Sequence, residues 1–268
     1  MNSEELAWKI RRHSIDMVNH AHASHIGGVL SVADAVAVLY NDIAKVDALR
    51  PRWEERDRII LSKGHNGVAI YAALAELGFY PVEELQKYGD NGCRFSCHVS
   101  HKGVPGVEIS TGSLGQGVCV ACGMALNGKL KNMSYHVYAI MGDGECNEGS
   151  VWETIMLAAQ YRLDNFTVLV DCNDMQAMGK CEQVMNMYPM RDKWQAFGWL
   201  VEEADGHNHN ELREAFKTPH NGRPKVILSH TIKGKGVSYM EGQLIWHYRD
   251  PQGEFYERAV QELEAQHP

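Results

Sequence analysis

Apolar and polar positions alternate with two different periods along this chain, and the changes of period outline its elements. Residues 3–21 and 31–44 repeat at helical spacing, with the stretch "HASHIGGVLS" between them. "RIILS" (58–62) predicts a short buried strand. "NGVAIYAALAELG" (66–78) predicts a helix that stops at Gly78, and "PVEELQKYG" (81–89) another with Pro81 at its start. Residues 90–112 show no period and carry Gly, Cys, His and Pro, which predicts a long loop. Structureless loops of that length usually serve function. From there the pattern predicts a small-residue helix (114–131), a strand "HVYAIMGD" (136–143) and a helix "SVWETIMLAAQYR" (150–162). The strand "NFTVLVDCND" (165–174) is apolar on both faces, as a central parallel strand should be. A helix (190–198), a strand (199–206), a helix (208–218), a strand (224–231) and a closing helix complete the chain. Strands alternating with helices predict an α/β fold: an open, mainly parallel, doubly wound sheet with helices on both faces, as a single domain over 1–268. Ligands in such sheets bind at the carboxyl ends of the strands.

Composition narrows the function classes. Lys and Arg number 26 against 34 Asp and Glu, a formal charge of −8, so nucleic acid is not expected as a partner. The start "MNSEELAWKIRRHS" reads as an amphipathic helix without the apolar core of a signal peptide. No run of 18 uncharged apolar residues is found, so no membrane span is expected. Seven scattered cysteines fit free thiols in a reducing compartment, and the expected location is cytoplasmic.

The chemistry concentrates in "MGDGECNEGSVWE" (141–153), a glycine-rich strand-to-helix turn of the kind that cradles phosphate, yet lined with acids. Asp143 sits at a strand end between Gly142 and Gly144, and Asn173 follows it by 30 positions, one β–helix–β unit. That spacing places a carboxylate and an amide oxygen at one edge of neighbouring strands. Such a hard-oxygen pair suits Mg²⁺, which draws its other ligands from phosphates, waters and a main-chain carbonyl. A metal between acid and phosphate removes the charge conflict, and the Gly144 N–H can then donate to the phosphate. The alternative is an Asp capping the next helix and an Asn in a turn. Glu145 and Glu148 are assigned to that helix N-terminus.

The GDG turn with Asn173 resembles the thiamine diphosphate signature. "SHIGG" (24–28), "LSKGH" (61–65), "PGVEISTGSLGQG" (105–117), "DKWQAFGW" (192–199) and "TIKGKGVSYME…WH" (231–247) are similar, in order, to motifs of transketolase. The chain looks like the N-terminal, diphosphate-binding (PP-domain) subunit of the split bacterial transketolases. The resemblance implies that Asp143, Asn173 and the main-chain oxygen of Met175 hold Mg²⁺, or Ca²⁺ or Mn²⁺ in its place. It implies that Gly112, Ser113, Leu114, Gly144, His65, Asn173, Lys233 and His247 contact thiamine diphosphate. His25, His98 and His247 would surround the reacting carbon, where neutral imidazoles bond sugar hydroxyls and move protons. Lys63, on the same loop as His65, could add a positive group near the diphosphate or face solvent, and Lys235 is read as solvated.

The sequence departs from the family pattern in places. Ser24 and Ile26 stand where many transketolases have Gly and Pro, and Tyr248 where glycine is usual. His98 lacks the usual Gly-His-Pro setting, and His101 offers a second choice. Cys93, Cys97, His98 and His101 form a rival zinc set, though their spacing is not a standard one. Cys119 and Cys122 lie inside a helix, where packing explains them better than redox chemistry. In the family, the glutamate that activates the cofactor and the arginines that grip substrate phosphate belong to a pyrimidine-binding domain. That domain is expected on a separate chain, in a two-plus-two heterotetramer acting on sugar phosphates or their analogues. The alternatives are a ketol transferase specialised for a sulfonated or branched sugar, and a cofactor-binding protein without catalysis.

Overall fold

The computed structural model describes all 268 residues. Five strands, β1 (Arg58–Leu61), β2 (Val137–Gly142), β3 (Phe166–Cys172), β4 (Leu200–Asp205) and β5 (Lys225–His230), form one sheet in the order β1-β2-β3-β5-β4. Every pairing is parallel. All carboxyl ends therefore lie along one edge, and the loops that follow β1, β2, β3 and β5 converge there.

Side chains alternate along the strands into two separate cores, the expected consequence of the two-residue period. Ile59, Leu61, Ile140, Leu169 and Ile227 join a cluster of 47 buried residues shared with α1 (Ser3–Ala21), α2 (Ile26–Val38) and α3 (Gly67–Glu76). Helices α8 (His209–Lys217) and α9 (Glu254–Glu264) complete that layer. Ile60, Ala139, Met141, Val168, Val170 and Leu228 face a second cluster of 24, covered by α4 (Gln116–Leu130), α5 (Gly149–Gln160) and α7 (Met190–Ala196). A four-residue α6 (Cys181–Val184) lies between the β3 end and α7. The doubly wound architecture matches the expected one.

Local differences have local causes. Helix α2 starts at Ile26, five residues before the predicted start, because Gly27 and Gly28 pack tightly inside it. A Cβ on Gly27 would lie 3.1 Å from Lys233 Cγ, and one on Gly28 would lie 2.9 Å from the Asn66 amide. The segment 82–87 is a 3-10 helix and not the predicted α-helix. Residues 90–112 contain no helix or strand, as expected. The stretch Ile26–Ile43 reaches membrane-spanning length and mean apolarity but carries Asp34 and Asp42, and 83% of it is buried as the central helix of the larger core.

Trp194 and Trp199 are almost wholly buried in the smaller core and meet edge-to-face at 4.9 Å. Trp194→Ala is expected to lower unfolding stability by about 3–5 kcal/mol, read from the denaturant midpoint. A change within about 1 kcal/mol would show that this core relaxes around the loss.

Candidate active site

A cleft of about 240 Å³ opens at the carboxyl edge of the sheet, lined from five of the six motif segments; 192–199 does not reach it. The loop after β1 brings Lys63 and His65, the long loop brings His98, Gly112 and Leu114, and the turn after β2 brings Gly142–Gly144. The segment after β3 brings Asn173 and Met175–Met178, and the segment after β5 brings Lys233 and His247. His25 enters from the N-terminus of α2.

Four imidazoles face one another across the cleft. The His25 ring lies 5.1 Å from His65, 5.7 Å from His98 and 5.0 Å from His247. His25 holds a left-handed backbone (φ 76°), costly for a non-glycine residue and characteristic of functional positions. Its N–H donates to the His247 carbonyl at 2.9 Å, so the two rings are joined through main chain. Burial, then the charge of Lys233, lowers His247 to about 3, and burial with His98 and Lys233 lowers His25 to about 4. Burial, then Lys63, takes His65 well below its ordinary value. These three imidazoles are neutral at pH 7, able to accept as well as donate.

Two lysines enter the cleft in different electrostatic states. Lys63 is buried and bonds Asp171 Oδ2 at 2.5 Å, which corrects the option of a solvent-facing side chain. Lys233 is 3% exposed, has no ion-pair partner and sits with Nζ 3.2 Å from His247 Nδ1. Burial, with Lys63 beside it, lowers Lys233 to about 8, so it stays mostly protonated at pH 7. An unpaired buried ammonium fits an anion in the cleft. Lys235 pairs loosely with Glu241 at 3.8 Å on the outside, as expected of a solvated residue.

At the floor, Asp143 is buried without an ion-pair partner, and burial, then the charge of Asp171, raises it to about 6. Its oxygens accept from the backbone Gly144 N and Asp174 N, each at 2.7 Å. Asn173 Nδ2 donates to Asp171 Oδ2 at 3.0 Å, which turns Oδ1 the other way, where it accepts the Met175 N–H at 3.1 Å and keeps a second lone pair. A buried carboxylate lacking a cation, beside an oriented amide oxygen, fits a hard divalent ion. A Cβ at residue 144 would meet Gln176 Cγ at 3.0 Å, so only glycine lets the two segments approach this closely.

Some predicted roles move. Glu145 does not serve a helix N-terminus: it is 1% exposed, accepts from Gly115 N at 2.8 Å and from the Ser62 hydroxyl, and so holds the "TGSLGQG" turn. Burial raises its pKa. Ser113 is exposed and outside the cleft lining, while Gly112 and Leu114 line it. The zinc set is not assembled, and no three His, Cys, Asp or Glu groups converge in a metal-holding arrangement. His101 Nδ1 instead bonds Ser110 Oγ at 2.8 Å, and Cys97 is exposed. Cys119 and Cys122 pack within α4, Cys119 Sγ bonding the Gly115 carbonyl at 2.9 Å. Sequence reasoning missed Asp171, whose signal was a carboxylate closing an otherwise apolar strand, and Gln176, which had none.

Comparison with known proteins decides the family. Residues 2–250 match the model of "Transketolase, thiamine diphosphate binding domain". The chain belongs to the transketolase family. It is 42% identical over 257 residues to one of the subunits of apulose-4-phosphate transketolase from Phocaeicola vulgatus, covering 95% of this chain and 91% of that one. It is 40% identical over 259 residues to a 6-deoxy-6-sulfo-D-fructose transketolase subunit of a Clostridium species, covering 96% and 94%. The crystal structure of Campylobacter jejuni transketolase superposes with a TM-score of 0.92 at 30% identity, over 98% of this chain and 43% of that one. The chain thus spans less than half of that transketolase, and nearly all of the separate subunits.

The depressed histidines set a pH dependence for this transketolase chain. Unfolded imidazoles titrate near about 6.5, while His25 and His247 fall to about 4 and about 3 in the fold. Between those limits the unfolded chain binds more protons, so stability falls as pH drops below about 6.5. The thermal midpoint is expected to decline from about pH 7.5 to about pH 5, and less steeply in a His25→Gln/His247→Gln double variant. An unchanged slope in the double variant would refute this origin.

Proposed function

We propose that this chain is the diphosphate-binding subunit of a two-subunit transketolase that moves a two-carbon ketol unit between a ketose donor and an aldose acceptor. The observation that carries the reading is the division of charge in one cleft: a cation-seeking Asp143 and Asn173 at the floor, an anion-seeking Lys233 on the wall, and neutral histidines around the space between. Asp143, Asn173 and the Met175 carbonyl would hold Mg²⁺, or Ca²⁺ or Mn²⁺. Gly144 N–H, His65 and Lys233 would hold the diphosphate, and Gly112 and Leu114 would lie along the rings of thiamine diphosphate. When bound, that cofactor supplies a nucleophilic carbon and an electron sink for breaking and forming carbon–carbon bonds. The chain's own contribution is to bind and orient. His25, His98 and His247 hydrogen-bond sugar hydroxyls, and a neutral imidazole can take a hydroxyl proton as a carbonyl forms and return it in the reverse step.

The cleft contains no carboxylate beyond the Asp143 and Glu145 already engaged, and its rim exposes Met178 and Tyr248. The outer surfaces of α4 and α5 expose Val120, Met156 and Leu157, with Tyr161 just beyond. Both features support assembly with a partner subunit that brings the activating glutamate and the substrate-gripping residues; the complex proposed is two-plus-two and cytoplasmic. A narrower reading is a ketol transferase for an uncommon sugar. Tyr248, 60% exposed with its ring 5.0 Å from His247, favours it, as do the uncommon sugars after which the two separate-subunit relatives are named.

Two measurements test the proposal. Asp143→Ala should abolish the Mg²⁺ dependence of thiamine diphosphate affinity in the assembled complex, and unchanged affinity would sink the metal assignment. The purified chain should show no ketol transfer until the partner is added. Full turnover by the chain alone would overturn the divided site.

A further inference from the structure

His207 lies outside the cleft, on the loop between β4 and α8, and its hydrogen bonds determine its tautomer. The Ile232 backbone N–H, which can only donate, points at His207 Nε2 at 2.9 Å. Nε2 is therefore the acceptor, and the ring proton sits on Nδ1, 2.7 Å from Asp34 Oδ2. Asp34 is in turn fixed deep in α2. It takes Arg11 on both oxygens and His209 Nε2 at 3.1 Å, and it is 6% exposed. The Arg11 guanidinium and the two histidines hold its carboxyl well below the usual range against the opposing effect of burial. A rigid, permanently ionised group thus reaches through one imidazole to the main chain of residue 232.

Residue 232 immediately precedes Lys233. On the other side of Lys233, Gly234 N donates to the Gly27 carbonyl at 2.8 Å, and Gly242 N closes on the Lys233 carbonyl at 2.9 Å. The lysine stem then lies against Gly27, where a Cβ would stand 3.1 Å from Lys233 Cγ. The backbone carrying the only unpaired buried ammonium of the cleft is therefore clamped before and after it. The clamp on the residue directly before it is His207, while Thr231 is held by Cys172 and Asp171.

We infer that His207 is a positioning residue for the anion site: by accepting the Ile232 N–H it sets where the Lys233 ammonium meets the diphosphate group. This rests on the reading of Lys233 as a diphosphate contact. Two substitutions separate the halves of the relay. His207→Gln keeps an acceptor near the Nε2 position and can still take the Ile232 N–H. His207→Asn keeps a donor near the Nδ1 position for Asp34 and leaves Ile232 without a partner.

The test measures binding of thiamine diphosphate, and separately of thiamine, to the assembled complex of each variant by titration calorimetry. His207→Asn is expected to weaken thiamine diphosphate by about tenfold, the worth of one hydrogen bond, and to leave thiamine unchanged. His207→Gln should bind both like the parent, and His207→Asn should have no further effect in a Lys233→Ala background. Equal behaviour of the Asn and Gln variants, or parallel loss of thiamine and thiamine diphosphate, overturns the inference. If the Asn variant does not fold, the Gln variant decides: a folded Gln variant with weakened diphosphate binding also overturns it. Should Lys233→Ala itself leave diphosphate affinity intact, the failure lies with the Lys233 reading and removes this one with it.

Discussion

The ion pair between Lys63 and Asp171 is the constraint from which the rest of the site follows. Both partners are nearly devoid of solvent contact, and their atoms are 2.5 Å apart. Removing one partner of such a pair typically costs about 3–5 kcal/mol because the other charge is left stranded. Asp171 also receives the Ser31 hydroxyl at 2.6 Å from α2, the Asn173 amide at 3.0 Å and the Thr231 hydroxyl. One carboxylate at the end of β3 therefore ties together the loop after β1, the entry helix, the asparagine of the cleft floor and the end of β5. Burial alone would push Asp171 upward, but Lys63 and these donors hold it below its ordinary value.

That anchored charge shapes its neighbours. Burial raises the affinity of Asp143 for a proton, and the like charge of Asp171 adds to it while Lys63 opposes it. Burial lowers the affinity of Lys233 for a proton, and the like charge of Lys63 adds to it while Asp143 and Asp171 oppose it. Burial beside the paired core thus leaves one acid and one base destabilised on the cleft side. Each is relieved by a ligand of opposite charge, so a divalent cation and an oligophosphate entering together satisfy both. The fold stores an unmet electrostatic demand of both signs, which is a more selective filter than either charge alone.

Much of this was legible in the sequence. The period changes give the strands and helices, and the glycine-acid turn with Asn173 one unit later marks the carboxyl edge. Contacts that depend on three-dimensional neighbours were not legible. Nothing local to "GECNEG" distinguishes Glu145, which turns inward to the Gly115 turn, from Glu148, which precedes α5. The helical character of 26–30 is hidden because paired glycines usually end a helix, whereas here they admit Lys233 and Asn66. The zinc set fails because His101 is committed to Ser110, a contact made by the path of a loop and not by spacing.

The peptide link from His25 to His247 has a mechanical meaning. These residues come from opposite ends of the chain, yet one N–H···O bond makes their backbones a single body, and the left-handed turn at His25 leaves little room to yield. Under the proposed function, a sugar pressing on one imidazole would press on both, and through residue 247 on the segment that carries Lys233. Misfit at the sugar end would then be felt at the diphosphate end. Substrates would be sorted by how well they fit an unyielding frame, with little scope for the wall to adapt to them.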